Sequence, residues 1–118
     1  MPDKLRVFEE LKLVKIESTG VVTDMDIAMS IETVEKLFEQ GLISKVLVDA
    51  RKQEILPDSG SLNFLAEKLS HGLKIAIVIT NDQKTQMGLK FFETTATNKG
   101  KSFKVFESIG AAEIWLNL

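Results

Sequence analysis

Apolar residues along this chain switch between two spacings, and each switch predicts a new element. Near the start, Leu5, Val7 and Phe8 form one patch and Leu11, Leu13, Val14 and Ile16 a second, with charged residues interleaved. Such near-alternation predicts two short strands paired as a hairpin. It slips between Leu13 and Val14, and Glu9-Glu10 is a poor turn signal. Ser18-Thr19-Gly20 is the expected end of the second strand, because Gly20 can take a positive φ without strain. The spacing then becomes helical: Ile27, Ile31, Val34 and Phe38 recur at four- and three-residue intervals and share one face. Thr23 is a good N-cap and Asp26 can complete a capping box, with Val22 and Ile27 placed as a hydrophobic staple. Gly41 suits the C′ position, and Leu42 would cover the helix end.

Val46-Leu47-Val48 is apolar without alternation, as a strand buried on both faces should be. It is expected to exit into Asp49-Ala50-Arg51 and a loop containing Pro57-Asp58-Ser59-Gly60. Leu62, Leu65, Ala66 and Leu69 make the stripe of a second helix, stopped by Gly72. Ile75 to Ile79 reads as a second buried strand, its β-branched content arguing against helix. Thr80-Asn81-Asp82 offers caps for a third helix containing Met87, Phe91, Phe92 and Ala96, which ends at Lys99-Gly100. Phe103 and Val105 open a last strand, and Ser108 caps a terminal helix carrying Ile109, Ala112, Trp115 and Leu116. The expected order is β-β-α-β-α-β-α-β-α: an α/β domain with a mixed sheet led by a hairpin. Strands joined through helices should be parallel.

Composition narrows the class. At 118 residues, 44% hydrophobic and 27% charged, with no dividing linker, the whole chain (1–118) is expected to be one globular domain. The net charge of -2 gives no global field for nucleic acid or an anionic membrane. Lys84, Lys90, Lys99, Lys101 and Lys104 make one region locally basic, but they are spread over helix and loop as a solvated surface would be. Without cysteine there is no disulfide, thiolate metal site or cysteine nucleophile. The opening Met-Pro-Asp-Lys-Leu-Arg lacks the apolar core of a secretory signal, and no apolar run approaches the roughly 20 residues of a membrane span. A cytoplasmic location is the expectation.

The chemistry is sparse. Asp49 and Arg51 should lie beyond the carboxyl end of a central strand, where open α/β sheets bind ligands, and could hold a polar ligand or simply pair with each other. Ser59 and Ser61 stand at a helix start, where free N–H groups favour an added phosphate; equally, Asp58, Ser59 or Ser61 is the cap. His71, the sole histidine, sits at a helix end, and no G-x-S-x-G, G-x-x-x-x-G-K or G-x-G-x-x-G pattern accompanies it. An enzymatic reading would rest on Asp49, Arg51 and His71 alone. Phe91-Phe92 and Trp115-Leu116 suit either core packing or an apolar pocket. Asp49 and Thr80 superficially match a response-regulator receiver, but the chain lacks that family's acidic pair and opens with a hairpin.

The opening hairpin, Gly20-Val21-Val22-Thr23 before a helix with an acidic first turn, Val46-Leu47-Val48-Asp49, Lys74 to Val78, and Val105-Phe106 before Ala111 to Leu116 span nearly the full length. Together they resemble the STAS superfamily, the fold of bacterial anti-sigma-factor antagonists, and within it the SpoIIAA-like branch. The resemblance implies action by binding, with no cofactor or metal. In the family's regulatory members a serine at the start of the helix after the Val-Leu-Val-Asp strand is phosphorylated by a partner kinase, which breaks binding. The nearest match is Asp58-Ser59-Gly60, with Ser61 close by. The branch's kinship with lipid-binding CRAL-TRIO domains implies, as an alternative, a small apolar ligand. The first expectation is therefore a non-catalytic regulatory or protein-interaction module. Ser59 and Ser61 are its candidate phosphoacceptors, and Asp49, Arg51 and Asp58 its candidate contacts. A protein partner is expected, and a homodimer stays open.

Overall fold

The computed structural model describes residues 3–21, 23–55, 72–80 and 102–118. Five strands form one sheet in sequence order: β1 (Asp3–Phe8), β2 (Leu13–Val21), β3 (Lys45–Ile55), β4 (Lys74–Val78) and β5 (Ser102–Phe106). β1 runs antiparallel to β2, and every later neighbour is parallel. This is the expected mixed sheet led by a hairpin. The helices within the described residues are α1 (Asp24–Glu39) and α2 (Ile109–Trp115). The expected helices around Leu62–Leu69 and Met87–Ala96 lie outside those residues.

Both faces of the sheet are buried over its centre, and this explains the slip at Leu13-Val14. Val14 belongs to the core on the α1 face with Ile16, Val46, Ile75 and Phe103, and Leu37 and Phe38 of α1 pack against it. Leu13 belongs to the opposite core with Leu47, Ala76, Val78 and, from α2, Ala112 and Leu116. Consecutive residues point to opposite faces of a strand, so two apolar neighbours are what a doubly covered strand requires.

Local signals set the ends of α1. Thr23 Oγ1 accepts from Asp26 N, and Asp26 Oδ2 accepts from Thr23 N, completing the capping box. Leu42 N donates to Leu37 O and Gly41 N to Phe38 O, with Gly41 at φ +75°. That is the Schellman pattern, and the left-handed residue in it favours glycine. Ser108 likewise caps α2.

Three boundaries differ from expectation. Leu11 does not begin β2; it ends a short 3₁₀ turn, Glu9–Leu11, and is exposed because Lys12 at φ 52° reverses the chain there. Gly20 does have positive φ, but β2 continues to Val21 through register shifts against β3, so it marks an irregularity inside a strand. β3 also runs well past Val48: β4 pairs with it only as far as Asp49, whereas β2 carries it to Ile55. Asp49 and Arg51 are therefore strand residues rather than part of a strand-end loop. Among the described residues, no helix is long and apolar enough to cross a membrane.

Candidate functional site

On the α2 face, the apolar layer covers only part of the sheet. Beside it lies a cleft of about 370 Å³ lined by Lys4, Arg6 and Phe8 of β1, Lys15 and Glu17 of β2, Leu47 and Asp49 of β3, and Ile109 of α2. Register sets these side chains in two rows across the strands. Arg6 stands opposite Lys15, which neighbours Leu47; Lys4 stands opposite Glu17, which neighbours Asp49. The floor is apolar where α2 meets the sheet, and the outer strands supply charge.

The acidic side is satisfied internally. Arg51 Nε donates to Asp49 Oδ1 at 2.9 Å and Arg51 Nη2 to Asp49 Oδ2 at 2.8 Å, a bidentate pair. This hydrogen bond holds the Asp49 carboxyl below its ordinary range and raises the guanidinium. Glu17 faces Lys52 at 3.7 Å. The ordinary ion-pair reading of Asp49 and Arg51 is thus the one the geometry supports.

The basic side is different. Like charges directly opposite on neighbouring strands destabilise a sheet, yet Arg6 and Lys15 are such a pair. Lys15 Nζ lies over the Phe8 ring, 5.4 Å from its centroid. Among the described residues, neither Arg6 nor Lys4 has a carboxylate partner within ion-pair distance. The same sheet solves a similar conflict elsewhere. Lys45 and Lys74 are register partners too. Both reach the end of α2, where Lys45 Nζ donates to Asn117 O and Lys74 Nζ to Trp115 O. Carbonyls at a helix C-terminus offset that charge. Among the described residues, neither Arg6 nor Lys15 has such a carbonyl, and Lys15 has only the Phe8 ring.

Of the residues singled out from sequence, Asp49 lines the cleft and Arg51 holds it. Asp58, Ser59, Ser61, His71 and the Phe91-Phe92 pair lie outside the described residues. Trp115 and Leu116 serve the core: Leu116 is fully buried, and the Trp115 ring lies against Phe106. The cationic group Lys4, Arg6 and Lys15 was not anticipated. Its signal was present as interleaved charge, but seeing which residues face each other needs the register, and the 3₁₀ connection hid it. Elsewhere Val21, Met25 and Met29 expose apolar surface around the start of α1.

No family model matches the sequence, and no curated protein matches it. The structure is similar to that of an uncharacterised protein from Shewanella loihica PV-4, of the DUF3478 family with a SpoIIAA-like fold. The likeness covers 97% of this chain and 93% of the other at 20% identity, with a TM-score of 0.56. The fold of this chain is SpoIIAA-like, as the sequence pattern led one to expect.

Proposed function

We propose that this protein is a non-catalytic interaction module of the cytoplasm, and that it binds an anionic partner segment on the β1–β2–β3 face beside α2. The observation that carries this reading is the Arg6–Lys15 pair. Its repulsion costs stability in the unliganded protein, and a carboxylate or phosphate placed beside the pair would offset that cost with attraction. With a net charge of -2, the chain as a whole would repel such a partner, so recognition has to be local. Apolar side chains stand close to these cations, so the contact would be mixed apolar and charged as interfaces commonly are. Phosphorylation of Ser59 or Ser61 would be the switch that the SpoIIAA-like fold suggests; phosphate on neither serine after exposure to a cognate kinase would rule it out.

The experiment is a binding titration of a fluorescent acidic peptide by anisotropy, comparing Arg6→Glu with Lys36→Glu. Lys36 is exposed on α1 and changes net charge equally. The site reading expects Arg6→Glu to weaken binding roughly tenfold or more, a loss of about 1.4 kcal/mol, while Lys36→Glu changes it little. Equal effects would mean that only net charge matters, and the reading would fail.

The cleft favours a second reading, a small amphipathic ligand with an anionic end among Lys4, Arg6 and Lys15. Its volume lies at the low end of small-molecule sites. Native mass spectrometry of the purified protein decides this, since a carrier should show a bound mass and a peptide-binding module should not.

A further inference from the structure

We infer that the partner joins the sheet as an additional strand along the outer edge of β1, and that it is an extended segment alternating acidic and aliphatic residues. This rests on the binding reading above and adds to it the mode of docking and the sequence pattern recognised.

Among the described residues, β1 pairs only with β2, and its other side is the edge of their sheet. An edge strand presents backbone N–H and C=O groups able to template another strand. Strand addition draws affinity from those groups and specificity from alternate side chains. On β1 the alternation is sharp. Lys4, Arg6 and Phe8 line the cleft; Leu5 also borders it but packs against the α1-face core, and Val7 is 38% exposed. A guest strand in register would set every second residue next to Lys4 and Arg6, where carboxylates fit. Its intervening residues would fall next to Leu5 and Val7, where aliphatic groups extend the core edge. The length of β1, Asp3–Phe8, allows a guest of about six residues.

Charge also decides against a second copy as the occupant. Two β1 edges paired with each other would bring the Lys4 and Arg6 groups of both chains together, adding repulsion to the Arg6–Lys15 pair already present. The cations that discourage self-pairing select an acidic guest.

The test uses the full chain and two octapeptides of one composition, one strictly alternating Glu and Val and one with Glu and Val in separate blocks. Binding is read by anisotropy, and amide hydrogen exchange reports on residues 3 to 8. The alternating peptide is expected to bind at least about tenfold more tightly and to slow exchange of the outward-facing β1 amides. A guest N-methylated on the edge facing β1 should lose binding, and one methylated on the other edge should keep it. Equal binding of both octapeptides without β1 protection overturns strand addition while leaving an anion-binding face intact. Binding of neither overturns the face itself.

Discussion

Replacing Arg6 by glutamate should stabilise the unliganded protein. Arg6 is exposed, and among the described residues its side chain has no hydrogen-bond or ion-pair partner that the substitution would remove. Its register partner is Lys15, with Lys4 two residues away on the same face. For charges roughly 6 Å apart in a water-like medium, Coulomb's law gives about 0.7 kcal/mol. Reversing one sign swings the pair from repulsion to attraction, but solvent and side-chain entropy take back part of it. A net gain of about 1 kcal/mol is expected, the upper range of measured cross-strand pairs. For a domain of this size that raises Tm by roughly 4 °C. Urea melts of native protein, Arg6→Glu, Lys15→Gln and the double variant form a cycle that isolates the pair from each side chain's own propensity. The Lys15 contact with Phe8 makes Lys15→Gln the weaker single test, which is why Arg6 is the primary site. Screening gives a second check: at 1 M salt the Debye length shrinks to about 3 Å and most of the gain should vanish. A destabilised Arg6→Glu at low salt, or a gain indifferent to salt, would refute the premise that these cations repel each other.

Thr23→Ala removes the cap on Asp26 N and should cost about 1 kcal/mol in denaturant melts, with Thr23→Ser restoring most of it. Leu13→Ala opens a cavity in a fully buried position against α2 and should cost about 2–5 kcal/mol without altering the spectroscopic signature of the fold. Arg51 holds the Asp49 carboxyl below its ordinary range, so the folded state favours the ionised form. That stabilisation is complete above a pH of about 4 and is lost as pH falls through the lowered folded value. Melts from pH 7 down to acid should accordingly show a shallower loss for Asp49→Asn than for the native chain, and parallel curves would contradict it.

Much of the fold was legible because several elements carry their own punctuation. The capping box at Thr23 and Asp26 and the left-handed Gly41 mark α1 almost to the residue. The apolar β3 and β4 segments report burial on both faces through their lack of alternation. Boundaries failed where the deciding factor lay on another strand. β3 runs to Ile55 because β2 supplies hydrogen-bond partners, and nothing in the local sequence announces that. The candidate site was less legible for the same reason. Asp49 and Arg51 stood out as a local pair, and they turned out to hold each other. Lys4, Arg6 and Lys15 acquire meaning only once the hairpin register sets Arg6 against Lys15. A surface made from residues nine apart in sequence belongs to the pairing, not to any motif.

The most direct measurement is a map of amide chemical shifts in the ¹⁵N-labelled protein as an acidic peptide is titrated in. The account predicts perturbations confined to β1 and to the cleft residues Lys15, Glu17, Leu47, Asp49 and Ile109. Shifts centred on Val21, Met25 and Met29, or spread evenly over the surface, would contradict it.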